Sequence, residues 1–193
     1  MNAIKKGFVE LLQPNPLDHQ SLLYAGIFAC ELTDSLIAKT EPPDTIKCKP
    51  GCPHCCHMTI PHITVPEGMY IYQWCRENGV KPKEFVKGEC PFLSSKGVCA
   101  VHPARPVRCR GWNSRDVDWC KNPPDVFNIR DCTVFYPQFQ VGRKVHKLLV
   151  EALEAVGYTD TLTTIDDAFC GNMGMNARIL IEGLNMVMAE AHD

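Results

Sequence analysis

Four cysteines near the end of the first quarter of the chain are the residues whose type and spacing are most suited to chemistry. Cys48, Cys52, Cys55 and Cys56 lie within nine residues and follow the spacing C-x3-C-x2-C-C. Thiolates are soft ligands, and closely spaced thiols are typical of sites for zinc or iron–sulfur clusters. The sequence therefore predicts a metal centre around this run.

The chain has twelve cysteines, and nine of them remain as candidate ligands after three are set aside. Cys30 and Cys75 fall on apolar helix faces, where a thiol usually packs as a small hydrophobic group, and Cys170 is isolated. Zinc and a [4Fe–4S] cluster each take four protein ligands, so nine thiols would serve two sites with one to spare. The nine candidates are Cys48, Cys52, Cys55, Cys56, Cys90, Cys99, Cys109, Cys120 and Cys132. We expect all of them except Cys120 to bind metal.

The adjacent residues Cys55 and Cys56 leave the number of sites open. In an extended chain, neighbouring side chains point in different directions. We therefore expect Cys55 to share a site with Cys48 and Cys52, while Cys56 turns toward the distal cysteines. Alternatively, Cys56 supplies the fourth ligand of a single cluster. The direction of the Cys56 sulfur decides between one cluster and two sites.

The uneven intervals between cysteines favour an iron–sulfur cluster, most simply [4Fe–4S], over zinc. Structural zinc sites favour paired C-x2-C units, and within this run only Cys52 and Cys55 have that spacing. A cluster held by four thiolates is negatively charged, and nearby basic residues can offset that charge. The candidates are Lys47, Lys49, Arg105, Arg108, Arg110 and Arg115, of which Arg105, Arg108 and Arg110 are expected to contact the cofactor. Alternatively, these six basic residues form a surface exposed to solvent and contact no cofactor. His54 and His57 are expected to lie outside the ligand set.

The C-x3-C-x2-C-C run, followed by C-P-F-L at Cys90 and R-P-x2-C-R at Arg105, resembles a bacterial cysteine-cluster family described as a zinc- or iron-chelating domain. The resemblance implies a bound metal centre. The pattern is distantly similar to flagellin lysine N-methylases, which use an iron–sulfur cluster with S-adenosylmethionine. That similarity implies that Cys48, Cys52 and Cys55 are cluster ligands.

Cys48, Cys52 and Cys55 taken alone also match the cysteine triad of radical S-adenosylmethionine enzymes. Such a triad should follow an early strand and open a series of β/α units. The segment after Cys56 is instead rich in proline and irregular, which disfavours the interpretation as a radical S-adenosylmethionine enzyme. Nucleophilic catalysis by a Cys/His pair and redox regulation by reversible disulfides rank below metal binding.

Helical patterns flank the cysteine-rich segment and are expected to position it. A helix is predicted over 3–13, a second follows Asp18 as its N-cap, and Pro42-Pro43 should end that second helix. Thr64 and Glu67 form a capping box for a third helix that closes at Gly79. Further helices are predicted from Val141 to Val156 and from about Asn172. The methionines of the last segment are read as core residues.

The predicted fold class is mainly α, with helices packed around an irregular cysteine-rich metal-binding centre. Two short apolar segments around Ser94–Gly97 suggest a small β-hairpin with Cys90 and Cys99 on its arms. At 193 residues the chain is expected to form a single domain. Its parts are N-terminal helices (1–43), a cysteine-cluster core (44–133) and C-terminal helices (134–193).

The bulk composition excludes some partners and suggests others. The net charge of −2 gives no basis for nucleic acid as a partner. The N-terminus lacks the apolar segment of a secretion signal and no run is long enough to span a membrane, so a cytoplasmic location is expected. We expect the protein to act in electron transfer, or as an accessory to a larger enzyme, and to bind a redox or enzyme partner protein. The alternatives are a zinc-stabilised interaction module and a methylase-like enzyme that uses S-adenosylmethionine.

Overall fold

The structure is a computed structural model and describes residues 3–13, 18–42, 44–49, 51–58, 62–84, 89–122, 133–158 and 162–164. The helix predicted from Asn172, the methionines near it, Cys132 and Cys170 lie outside these residues. Within the described ranges, no helix combines the length and hydropathy needed to cross a membrane.

Four long helices form the scaffold: α1 (Ala3–Leu12), α2 (His19–Ile37), α4 (Val65–Asn78) and α7 (Tyr136–Ala155). α2 packs against α4 and α7, and α1 packs against α7. Phe8, Leu12, Ala29, Leu149 and Leu153 are fully buried where these helices meet. The mainly α fold class predicted from the sequence is confirmed.

Short elements connect the long helices and carry most of the cysteines. They are α3 (His54–Met58), a 3-10 turn (His102–Ala104), α5 (Val107–Arg110) and α6 (Val117–Lys121). Two three-residue strands, β1 (His62–Thr64) and β2 (Leu162–Thr164), pair antiparallel with Ile63 opposite Thr163. The cysteine-rich segment therefore has little regular structure of its own.

The helix ends follow the predicted capping residues. The Asp18 carboxylate accepts a hydrogen bond from the Ser21 amide at 2.9 Å and caps α2. The capping box of α4 is present, and Gly79 ends that helix at a φ of 63°. α2 stops at Ile37, before the predicted Pro42, because the Thr40 hydroxyl donates to the Ile37 carbonyl at 2.6 Å.

The predicted hairpin is confirmed in a minimal form, as a single antiparallel bridge between Leu93 and Cys99. Its turn is closed by the Ser94 amide, which donates to the Val98 carbonyl at 2.9 Å. The Ala100 amide also donates to the Phe92 carbonyl across the two arms at 2.8 Å, whereas the Cys90 amide donates to the Cys56 carbonyl of α3 at 2.9 Å. One arm of the hairpin is thus attached to the cysteine run.

A buried carboxylate joins three elements of the fold. Glu67 is 1% exposed and accepts hydrogen bonds from the amide and hydroxyl of Thr64, both at 2.8 Å. Its other oxygen accepts from the Val107 amide at 3.0 Å, at the start of α5. His146 of α7 faces the carboxylate, with its Nδ1 3.4 Å from Oε2. Glu67 therefore fixes α5 relative to α4 and α7.

A glycine allows the closest contact between α2 and α4. A Cβ on Gly26 would lie 2.1 Å from the Pro66 carbonyl oxygen, in the first turn of α4. Only a residue without a side chain fits this crossing. Gly7 of α1 differs, because a Cβ there would meet Phe28 Cε1 at 3.9 Å, an ordinary contact distance.

We predict that Gly26→Ala lowers the free energy of unfolding by about 1–3 kcal/mol, because the new methyl group forces α2 and α4 apart. The matched control, Gly7→Ala, should raise it by about 0.5–1 kcal/mol through better helix propensity. Urea denaturation followed by circular dichroism measures both. Equal effects of the two substitutions would contradict the close approach at Gly26.

We predict that Glu67→Gln costs about 1–3 kcal/mol of unfolding free energy at neutral pH, because an NH2 group replaces one of the two oxygens that accept from buried donors. Burial raises the pKa of Glu67, but His146 and Thr64 outweigh burial and hold it below its ordinary 4.5. The carboxylate therefore contributes its full stabilisation above pH 4.5 and loses it as the pH falls through the lowered pKa.

The difference between wild type and Glu67→Gln should accordingly shrink as denaturation is repeated at successively lower pH. Glu154→Gln, on the exposed face of α7, is the matched control and should track the wild type. A Glu67→Gln penalty that is independent of pH would show that the ionised carboxylate is not the stabilising form.

Candidate metal centre

The short elements enclose a cavity of about 950 Å³ on one side of the helical scaffold. The cysteines that line it are Cys48, Cys52, Cys55, Cys56, Cys90, Cys99, Cys109 and Cys120. Seven of them belong to the predicted ligand set. Cys132, the eighth predicted ligand, lies outside the described residues, and Cys120 was a candidate that the expected set left out. Whether these thiols bind metal stays a prediction.

The first two cysteines of the run are held by a tight turn and by a backbone contact. The Cys52 amide donates to the Lys49 carbonyl at 3.1 Å, and Gly51 takes a φ of 86° that suits glycine. The Cys48 sulfur accepts a hydrogen bond from the Ser114 amide at 3.0 Å. Cys48 is thereby attached to the segment that leads into α6.

The next two cysteines lie on α3 rather than on the extended chain assumed from the sequence. The helix begins after Pro53, whose carbonyl accepts from the Cys56 amide at 2.9 Å. Consecutive side chains on a helix diverge by about 100°, so Cys55 and Cys56 face different parts of the cavity. Their sulfurs nevertheless remain in hydrogen-bonding contact with each other.

The distal cysteines come from the hairpin and from α5. Cys90 precedes the first hairpin arm and Cys99 lies on the second, while Cys109 is on α5. α5 reaches α7 through two glycines: a Cβ on Gly111 would lie 2.6 Å from the Gln138 carbonyl oxygen, and one on Gly142 2.7 Å from that of Val107. Close packing on α7 thus determines the position of Cys109.

The thiols of the cavity differ in their acidity. Contact with Cys56, assisted by the Arg105 guanidinium, lowers the pKa of Cys55 to about 7 against the opposing effect of burial. Hydrogen bonds with Cys55 and Cys90 raise the pKa of Cys56. Burial and the neighbouring thiolates raise the pKa of Cys109 and Cys99. Because most of these pKa values are raised, a metal cation would have to displace the protons of most of these thiols when it binds.

The two cysteines assigned to the core are buried among apolar side chains, as predicted. Cys30 belongs to the scaffold core and Cys75 to a second apolar cluster beside the cavity. Burial raises the pKa of Cys30 to about 12 and that of Cys75 to about 11. Both behave as small apolar groups.

The structure separates the three arginines that were expected to contact the cofactor. Arg105 and Arg108 line the cavity. Arg110 is not brought to the lining: its guanidinium pairs with Asp34 and donates to the carbonyls of Pro103 and, at 2.8 Å, Arg105. Its role in the described structure is to hold the 103–110 segment against α2.

Several lining residues were not singled out from the sequence. Trp112 and Phe139 form an aromatic wall with ring centroids 5.6 Å apart, and Arg143 lies 5.7 Å above the Phe139 ring. Phe139 and Arg143 are on α7, which begins after the cysteine-cluster core (44–133) ends, so no local signal marks them. Cys120 differs from these, since it was one of the nine candidates and was left out only of the expected ligand set; Asp116, the N-cap residue of α6, signals the helix that carries it.

Histidines take a lesser part than cysteines in the lining. His62 and His102 line the cavity, whereas His54 and His57 do not. His57 is exposed, and its Nδ1 lies 3.8 Å from the Glu89 carboxylate. Among the described residues, no three Cys, His, Asp or Glu side chains converge closely enough to hold one metal ion as they stand.

The lining has the chemistry of a metal site. Its charged side chains are basic (Lys49, Arg105, Arg108 and Arg143), and the described lining contains no Asp or Glu. The buried Nε of Arg105 has no hydrogen-bond partner among the described residues. Eight thiols, which bear negative charge as ligands, together with an unpaired guanidinium N–H fit a thiophilic metal or an iron–sulfur cluster.

Comparison with known protein families agrees with this chemistry. Residues 47–126, or 80 of the 193 residues, match the family model CxxCxxCC, described as "Putative zinc- or iron-chelating domain". No curated protein and no solved structure showed significant similarity to the chain. The matched segment contains all eight lining cysteines.

We predict that Arg110→Met and Arg108→Met have different effects, because the structure gives the two arginines different surroundings. Arg110→Met should lower the free energy of unfolding by about 1–3 kcal/mol, since the carbonyls of Pro103 and Arg105 lose their hydrogen-bond donor. Arg108→Met should leave it within about 0.5 kcal/mol of the wild type. Urea denaturation of both variants, at equal metal content, tests the assignment. A larger loss for Arg108→Met would contradict it.

Proposed function

We propose that the cavity holds an iron–sulfur centre, because its cysteines lie in the segment that matches a family model of zinc- or iron-chelating domains. We further propose that the protein acts in electron transfer or as an accessory to a larger enzyme. The observation that carries the proposal is the lining of one cavity by eight thiols from five separate segments of the chain.

The arrangement of the thiols supports a cluster over a single ion. Zinc binds four ligands around one point, with each sulfur about 2.3 Å from the ion. An iron–sulfur cluster is larger, and cysteines approach it from several sides. Here thiols from the 48–52 turn, α3, the hairpin, α5 and α6 surround a cavity of about 950 Å³. Such a space suits a group with the dimensions of a cluster.

The surroundings of the thiols also support a redox centre. A cluster held by thiolates has a net negative charge, and basic groups with backbone donors to sulfur stabilise its reduced form. Arg105 and Arg108 supply positive charge at the lining, and the Ser114 amide donates to the Cys48 sulfur. When bound, the cluster would supply one-electron chemistry, which these residues would tune.

Partial exposure of the centre supports exchange of electrons with another protein. Cys48, Cys52 and Cys55 are only partly buried, and Lys49 and Arg143 are exposed beside them. A basic rim around a redox centre favours a partner with an acidic surface, because complementary charge speeds association. The proposed partner is therefore an acidic redox protein or an acidic surface of a larger enzyme.

A zinc-stabilised interaction module is the second candidate. Apart from Cys75 on α4, the cysteines of the matched segment lie on helices of five residues or fewer, on the minimal hairpin or in segments without regular structure. Structural zinc commonly holds such segments together, and its binding energy is then folding energy. This function would need no redox partner.

Metal analysis after anaerobic purification separates the two candidates. An iron–sulfur protein should be brown, contain iron and acid-labile sulfide in similar amounts, and lose visible absorbance on reduction. Cys30→Ala, which removes a buried thiol outside the cavity, should retain the full metal content. A colourless preparation with stoichiometric zinc and no iron would overturn the iron–sulfur proposal and support the zinc module.

A further inference from the structure

The segment that leads into α6 links two of the cavity thiols, Cys48 and Cys120, on one side of the cavity. Ser114 bonds the Cys48 sulfur through its amide at 3.0 Å, and its hydroxyl donates to the Asp116 carbonyl at 2.9 Å. Asp116 caps α6, in which Cys120 is buried. The turn after Cys48 brings Cys52 to the same side, and Cys48 interacts electrostatically with both Cys52 and Cys120.

Four thiols meet on the other side of the cavity. Cys56, Cys90 and Cys99 pack in one apolar cluster with the buried side chains of Ile63 and Phe92. The Cys90 amide donates to the Cys56 carbonyl, and the sulfurs of these two residues are in contact. Cys109 joins them from α5 and interacts with Cys90 and Cys99. Among the described residues, Cys48, Cys52 and Cys120 lie outside this apolar cluster.

Cys55 lies between the two groups. It interacts with Cys48 on the first side and with Cys56, Cys99 and Cys109 on the second. The first side has three other thiols and the second side already has four. A four-ligand centre on each side therefore requires Cys55 to complete the first.

We infer that the cavity holds two metal centres, one bound by Cys48, Cys52, Cys55 and Cys120 and the other by Cys56, Cys90, Cys99 and Cys109. The peptide bond between Cys55 and Cys56 joins the two centres. The inference rests on the proposed metal-binding function but not on the identity of the metal. It also assigns Cys120 a ligand role that the cysteine pattern alone did not give it.

Metal counting on matched variants tests this inference. Cys120→Ser removes a ligand of the first centre only and Cys99→Ser a ligand of the second only. Each should retain about half of the wild-type metal in the anaerobically purified protein, and the double variant should retain almost none. Cys75→Ala, which removes a buried thiol outside both sets, should retain all of it. Full metal in Cys120→Ser, or complete loss in a variant that keeps wild-type helicity, would overturn the inference.

The wild-type protein gives a second measurement that does not depend on any variant folding. Cadmium added to the metal-free protein under reducing conditions should bind at two thiolate sites and give two cadmium NMR resonances in the thiolate region. One resonance, or none, would overturn the inference.

The inference of two centres and the proposal of an iron–sulfur cluster can fail separately. Two zinc ions per chain would overturn the iron–sulfur proposal and keep the two centres. A single [4Fe–4S] cluster per chain would do the reverse.

Discussion

The burial of the Glu67 carboxylate is the interaction that ties the helical scaffold to the cysteine-lined cavity. The same side chain caps α4, faces His146 of α7 and accepts the Val107 amide at the start of α5. Val107 lies two residues after Arg105 and two before Cys109. A hydrogen bond within the scaffold thus sets the position of one basic and one thiol group of the cavity. A hydrogen bond of the helical scaffold therefore helps to order this part of the lining.

The two groups of thiols differ in how much the protein orders them without metal. Cys90 is buried in the apolar cluster, with Cys56 and Cys99 packed against it, and Cys109 is fixed through α5. Cys48 and Cys52 lie on a turn between long helices, and Cys120 lies on a five-residue helix. Cys48, Cys52 and Cys120 belong to neither of the two apolar core clusters of the described residues. Metal binding should therefore contribute more to the folding of the segments that carry Cys48, Cys52 and Cys120 than to that of the segments that carry Cys56, Cys90, Cys99 and Cys109.

The helical scaffold was predictable from capping residues and helix ends, because each of these signals depends only on residues close together in the sequence. The Asp18 cap, the Thr64–Glu67 capping box and Gly79 specify helix ends through contacts that span a few residues. The hairpin was also predictable from its turn. The cysteine loop was not: α3 was read as extended chain, because its five residues are too few for a helical period to show.

Long-range contacts explain what the sequence could not show about the site. Arg110 was grouped with Arg105 and Arg108 because the three are close in sequence. Its partner Asp34 is 76 residues away, on α2. Cys120 lines the cavity because α6 packs on α3, and Arg143 because α7 passes beside α5. Spacing in sequence gives the type of ligand, whereas tertiary packing selects which ligands meet.

Arg105 differs from the other basic residues of the lining in that it interacts with thiols of both groups. Eight neighbouring thiols cannot all ionise unless cations are present, because each thiolate raises the pKa of the next. Bound metal supplies most of that positive charge, but thiolate-ligated centres retain a negative charge. Arg105 interacts with Cys55 and Cys99, one from each proposed centre. Its buried Nε, which has no hydrogen-bond partner among the described residues, is therefore a donor available to the negative charge of both proposed centres.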